Sequence, residues 1–339
     1  MTSNNFLKGF FLLNIVFLFT IALFNYFIDP YWTNSNSSKF NTLQKAPNER
    51  EQKSNLLYYG DKKYDGVLLG SSRVTFLNHQ DFKDKDIFNY SFSLSMPENY
   101  KKYIDFAKKQ NGEDFKYIVL GLDFFGTNKN VEKNKKPEEV FDEITSPFYK
   151  YKLLFSIDSL KLSLENIKRS LLNKSGGRSY SRDNIASTTH IEKQEVIKRV
   201  EESKLEDLVG NIKNYTYDED YKSILKSLKN TNPNTKFIVF TTPVTSVYLD
   251  KLKALGLSND YKRWLNELTS TFDSITHFMD KNSITNDYSE YFMDYHHIYP
   301  KYSSFVINKL DDIESKNSPS DFGKVLNKEN INDYLKGLN

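Results

Sequence analysis

Between Phe10 and Phe27 the chain reads FFLLNIVFLFTIALFNYF, with only Asn14, Thr20 and Asn25 interrupting the apolar side chains. At ~1.5 Å rise per residue, a helix over this run just crosses a ~30 Å hydrocarbon layer. Nothing in it is amphipathic, which argues against the core helix of a water-soluble fold. No small-x-small sequence precedes Asp29-Pro30-Tyr31-Trp32, which argues against a cleaved leader. The expectation is a short N-terminal tail (1–9) and one transmembrane helix (10–29) that anchors the chain in a lipid bilayer. Pro30 would stop this helix, and Tyr26, Tyr31 and Trp32 would form an interfacial aromatic belt. Lys8 flanks one side and Lys39 and Lys45 the other, so charge alone does not orient it. An inside N-terminus is inferred from the character of the remaining chain.

The rest of the 339-residue chain reads as a folded body, because Phe and Tyr return at the intervals of buried faces. The formal charge is +3 and Lys is interleaved with Asp and Glu, so no nucleic-acid partner is implied. There is no cysteine, which excludes disulfides, thiolate nucleophiles and Cys-based metal sites without identifying a compartment.

Residues 30–55 are polar, with Pro47 and many Asn and Ser, and read as a stalk leading to a domain over 56–313. The runs Gly66–Leu69, Ile87–Tyr90, Tyr117–Leu122 and Phe237–Phe240 look like strands buried on both faces. Helical patterns such as Asn99 to Lys109 and Tyr221 to Leu228 lie between them. That alternation predicts an α/β fold, a parallel sheet covered by helices. The stretch 128–214 breaks the rhythm with a charged, helix-rich sequence, an apolar segment from Tyr151 to Ile157 and a Gly176-Gly177 loop. It reads as a helical insertion, a cap or a docking surface. Residues 314–339 turn polar again and read as a tail with at most one short helix near Ile331 to Leu335.

Two short motifs could carry chemistry. Gly70-Ser71-Ser72-Arg73 follows the first strand, and a helical continuation would set a Ser hydroxyl among free backbone N–H groups. A Ser before a helix is more commonly just an N-cap. Near the other end, Phe292-Met293-Asp294-Tyr295-His296-His297 spaces Asp294 and His297 as one helical turn requires. A Ser nucleophile needs an imidazole to take its proton and a carboxylate to hold that imidazole. Ser72, His297 and Asp294 fit these roles, with Ser71 as the alternative nucleophile and His296 as the alternative base. His79, His190 and His277 lack ligand-spaced partners and read as structural, so neither a metal nor a cofactor is expected.

With these residues in place, the chain resembles the SGNH/GDSL hydrolase superfamily, over roughly Asp65 to Leu310 with the insertion left out. Gly70-Ser71-Ser72 stands at the family's Gly-Asp-Ser, and Asp294-x-x-His297 at its last motif. The resemblance implies a flavodoxin-like three-layer sandwich. Leu94, in Asn89-Tyr90-Ser91-Phe92-Ser93-Leu94, stands where the family has an oxyanion-binding Gly. Asp123, in Gly121-Leu122-Asp123, stands where it has Asn, with Asn128 as a candidate substitute for that amide. Within the superfamily, the layout is similar to membrane-anchored members that act with membrane-bound O-acyltransferases, including the D-alanine transfer protein and alginate-type acetylation proteins.

By that resemblance the chain is an extracytoplasmic acyl esterase or O-acyltransferase of the cell envelope. Its partners would be a cell-surface glycan or polymer and a membrane-bound O-acyltransferase. Backbone N–H groups at Ser72 and Arg73 would bind the oxyanion, and Arg73 would attract an anionic substrate or, more simply, form a structural ion pair. The competing reading is a non-catalytic membrane component that binds a glycan or an assembly partner. An intracellular lipase-like enzyme would need the opposite topology.

Overall fold

The computed structural model describes residues 3–131, 136–203, 215–313 and 318–338. The strands in chain order are β1 (Gly66–Leu69), β2 (Ile87–Asn89), β3 (Tyr117–Leu122), β4 (Ser179–Tyr180), β5 (Ala186–Ser187), β6 (Lys236–Thr241), β7 (Ser274–His277) and β8 (Lys324–Asn327). The helices begin with α1 (Ser3–Ile28), α2 (Glu49–Tyr59), α3 (Ser72–Thr75), α4 (Pro97–Asn111) and α5 (Pro137–Thr145). They continue with α6 (Tyr149–Leu154), α7 (Ile157–Leu172), α8 (Lys193–Glu201), α9 (Tyr221–Asn230) and α10 (Ser246–Ala254). The last are α11 (Ser258–Thr271), α12 (Ser283–Asn286), α13 (Tyr288–Tyr291), α14 (Ser303–Leu310) and α15 (Ile331–Lys336). They form two compact units, residues 1–62 with 138–189 and residues 63–137 with 190–339.

The second unit is mixed α/β around a six-stranded sheet of order β2-β1-β3-β6-β7-β8, parallel except for the final β7–β8 pair. The parallel part is doubly wound, reversing direction between β1 and β3, which opens a crevice at the carboxyl ends of those strands. Strand side chains alternate between faces. Leu68, Val119 and Phe240 therefore meet Val306 and Ile307 of α14 in one core layer. On the other side α4, α9 and α11 pack in series, giving the three layers expected of the class. Two glycines allow α3 to press on the sheet, since a Cβ on Gly70 or Gly121 would lie 2.3 or 2.4 Å from Val74 Cγ2.

Residues 314–339 are not simply a tail. Ser274 to His277 pairs antiparallel with Lys324 to Asn327, so β8 closes the sheet edge, and α15 lies against α11. Residues 314–317 and 339 fall outside the described residues. β8 is short and half exposed, as edge strands commonly are, and so lacks a continuous apolar run.

The first unit replaces both the stalk and much of the insertion. Gln44 exchanges backbone hydrogen bonds with Tyr180 at 2.8 Å, Gln52 Nε2 donates to Pro30 O at 2.8 Å, and Asn55 Nδ2 donates to Tyr31 O at 2.9 Å. Gln52 and Asn55 are thus buried although polar, their amides satisfied by loop backbone. Trp32 is 2 % exposed against Tyr180, so it is not part of an interfacial belt. The 128–214 stretch divides: 138–189 folds with the N-terminal segment and 190–203 with the sheet unit, where α8 packs on α13. Residues 132–135 and 204–214 lie outside the described residues. α1 begins at Ser3, earlier than the apolar run, and is long and apolar enough to cross a membrane.

His277 ends β7 and is fully buried. Thr241 Oγ1 accepts from the amides of Phe278 and Met279, so its own proton goes to His277 Nδ1 at 2.8 Å. Nε2–H then donates to the Tyr261 hydroxyl at 3.1 Å, and that hydroxyl donates to Met279 O. This chain suits only neutral imidazole, and burial pushes its pKa down to about 4, against ~6.5 unfolded. Between those values the unfolded chain binds the extra proton. Stability should therefore be full above about pH 6.5 and fall by roughly 3 kcal/mol as the pH drops to 4. Denaturant melts across that window should give this slope in the wild type and a flatter one in His277→Gln.

Candidate active site

Ser72 opens α3 directly beyond β1, at the crevice end of the sheet. Its companions come from the segment after α13. Phe292 and Ile298 form a β-bridge and are both buried in the core, and the Met293 amide donates to His297 O at 2.9 Å. Both ends of a short loop are thereby pinned. Thr245 ties down its middle, with its amide and hydroxyl each 3.1 Å from Tyr295 O.

Asp294 and His297 do not lie on a helical turn, as their spacing suggests. Asp294 Oδ1 accepts the amides of His296 and His297, both at 2.9 Å, so the side chain organises an Asx-type turn that competes with helix. The other oxygen, Oδ2, accepts from His297 Nδ1 at 2.7 Å. That bond fixes the tautomer and leaves Nε2 to accept from Ser72 Oγ at 2.9 Å. Burial alone would raise the Asp294 pKa. The adjacent His297 and His296, together with hydrogen bonds from both residues, outweigh it and hold the carboxyl well below the usual carboxylate range. A permanent anion thus faces Nδ1 of His297. Phe76 packs edge-on to His297, with ring centroids 5.6 Å apart.

The two alternatives have other positions. Ser71 is buried, and its hydroxyl N-caps α3 by accepting the Arg73 amide at 3.3 Å. The same bond draws the Arg73 N–H away from the oxyanion role expected of it. His296 lies edge-on between Tyr295 and His297, at 4.2 and 4.0 Å between centroids. Asp294, His296 and His297 place ligand-type atoms within 4.8 Å of one another, but Asp294 Oδ2 and both His297 nitrogens are already engaged in the chain from Ser72.

Asp123 is turned away from an oxyanion role. Its Oδ1 lies 3.2 Å from Arg73 Nη1, both side chains are 3 % exposed, and Thr242 donates its hydroxyl to the same oxygen. The guanidinium also lies 5.3 Å from the Phe125 ring centroid and 5.1 Å from that of Tyr248. Arg73 is therefore the centre of a buried ion pair. Asn128 is buried too, and its Oδ1 accepts the amides of Asn130 and Thr216 at 3.1 and 3.2 Å, pinning Tyr217 beside it. Leu94 adopts φ 52°, the left-handed conformation that favours glycine. The backbone geometry of a Gly is kept there without the residue. Asn89, which the sequence did not single out, is buried and donates from Nδ2 to Val74 O and Leu77 O at 3.2 and 3.0 Å, closing the C-terminal end of α3. A buried Asn ending a strand was the signal available.

No family model and no curated relative matches the chain. A solved structure described as a platelet activating factor from Streptococcus pneumonia superposes with a TM-score of 0.37 at 11% identity, covering 77% of this chain and 88% of that one. Likeness at that level does not bear on function.

Because breaking a buried ion pair strands a charge, Asp123→Asn should cost about 3–5 kcal/mol. Denaturant unfolding of Asp123→Asn beside the double variant Arg73→Met/Asp123→Leu checks this. The double variant should recover most of the loss.

Proposed function

We propose that the chain is a membrane-anchored acyl esterase or O-acyltransferase of the SGNH kind, with a flavodoxin-like sheet and with Ser72 as nucleophile. The observation that carries this reading is the continuous hydrogen-bond chain Ser72 Oγ–His297 Nε2, His297 Nδ1–Asp294 Oδ2. Such a chain delivers a proton acceptor to a hydroxyl that is otherwise a poor nucleophile at neutral pH.

Ser72 Oγ attacks the acyl carbonyl while its proton passes to His297 Nε2, and Asp294 stabilises the resulting imidazolium. The carbonyl electrons move onto oxygen, where the Ser72 backbone N–H at the start of α3 is a candidate donor. Collapse expels the alcohol, which takes the proton from His297 and leaves an acyl ester on Ser72. Water or a sugar hydroxyl then loses its proton to His297, attacks that ester and regenerates Ser72. Water makes an esterase, and a glycan makes a transferase.

The anchor is α1, whose residues from Asn4 to Thr20 are all exposed and apolar apart from Asn4, Asn5, Lys8, Gly9, Asn14 and Thr20. With an inside N-terminus, the domain faces a cell-surface polymer outside, and a membrane-bound O-acyltransferase is the natural source of the acyl group. One observation favours the non-catalytic alternative: Asp123 is committed to Arg73 and the Arg73 amide to Ser71, leaving few obvious oxyanion donors.

Turnover of p-nitrophenyl acetate by the full chain in detergent, with and without a soluble polysaccharide acceptor, separates the readings. Ser72→Ala and His297→Ala should each lower kcat/KM by about 10³-fold or more, and Asp294→Asn should lower it while leaving KM nearly unchanged. Wild-type turnover equal to that of Ser72→Ala favours the binding protein instead.

A further inference from the structure

The buried face of α7 is largely polar, with Leu162 its one apolar side chain. Ser159, Ser163 and Asn166 are buried, and the Ser163 hydroxyl donates to Asn25 Oδ1 of α1 at 3.0 Å. The outer side carries Ile157, Leu160, Leu164, Ile167 and Leu171, a seam of three- and four-residue steps along one face. Ile157, Leu164 and Leu171 are 49%, 54% and 59% exposed. A soluble helix would bury that seam and expose its serines. Tyr151 of α6 and the two residues that cap it, Phe148 and Phe155, are exposed as well.

The length of α1 shows where this surface lies. From Asn4 to Thr20 every residue is exposed, a length of roughly 25 Å at ~1.5 Å per residue, and its first turn is polar. That falls short of a ~30 Å hydrocarbon layer. The span is completed only by the stretch from Ile21 to Ile28, and there Ile21, Asn25 and Ile28 are buried against the same unit. Asn25 Nδ2 donates to Leu154 O and Ser156 O at 2.9 and 3.1 Å, clamping α1 to the junction of α6 and α7. Leu23, Tyr26 and Phe27 remain exposed on the other side of α1. Whatever packs on these turns therefore sits at the depth of the bilayer's interface. Lys161 and Lys168 border the apolar seam, and Lys150 and Lys152 flank Tyr151.

We propose that the exposed α6–α7 face is a second membrane contact, lying in the headgroup–acyl boundary of a bilayer with its seam in the acyl region and its lysines among anionic headgroups. This matches the side-chain pattern of interfacial helices. The inference rests on reading α1 as a membrane anchor, and it adds that the unit docks flat on the lipid rather than hanging from a flexible tether.

The absence of cysteine makes the test direct. Single variants Leu164→Cys, Leu171→Cys, Phe17→Cys and Lys101→Cys of the full chain would be labelled with a nitrobenzoxadiazole fluorophore and reconstituted in phosphatidylglycerol–phosphatidylcholine vesicles. Quenching would be read with shallow and deep doxyl lipids. The expected result is shallow quenching at 164 and 171, deep quenching at 17 and none at 101, with the seam signal weakened when phosphatidylglycerol is omitted. Solvent-like labels at 164 and 171 beside a quenched label at 17 would overturn the lipid contact while leaving the anchor, and would point to a protein partner on the seam. An unquenched label at 17 would overturn the anchor and this inference together.

Discussion

Ser72 and His297 are 225 positions apart in the chain, and their side chains meet at 2.9 Å. Holding a hydroxyl and an imidazole at that distance requires both backbones to be immobile. The requirement is met differently at each end. Ser72 stands on a short helix pressed against the sheet, where Gly70 and Gly121 leave room for Val74 and Asn89 holds the far end. His297 stands on a loop whose flanks, Phe292 and Ile298, are bridged to each other and sunk in the core. The doubly wound sheet supplies the frame, placing the end of β1 at the point where strand order reverses.

Next to this chain lies a second polar arrangement with a different purpose. Arg73 and Asp123 neutralise each other almost out of reach of water, with Thr242 and two aromatic rings around them. The pair links the residue after Ser72 to the end of β3, so it positions α3. It also explains why a carboxylate is tolerated at this buried position: the guanidinium neutralises it.

How far the sequence reveals each element depends on how strongly that element marks itself. β1, β3 and β6 are continuous apolar runs because both faces are covered, and α4 and α9 carry helical periodicity, so all five are legible. Ser72, Asp294 and His297 are legible through residue type and order. β7 and β8 are not, being a short strand of mixed polarity and a half-exposed edge. The fold of residues 30–55 is hidden for a physical reason: Gln44, Gln52 and Asn55 are polar yet buried, bonded to loop backbone by partners distant in sequence. The Asp294 turn reads as helix because its i, i+3 spacing is common to both, and only the amides accepted by Oδ1 distinguish them.

The proposed activation of Ser72 by the His297–Asp294 pair is read most directly by intact-mass labelling of the full chain with a fluorophosphonate. The full chain is used because residues 30–44 belong to the first unit's packing. One adduct is expected, present in wild type and Ser71→Ala and absent from Ser72→Ala and His297→Ala. A folded wild-type protein that forms no adduct, or one whose adduct survives Ser72→Ala, would contradict it.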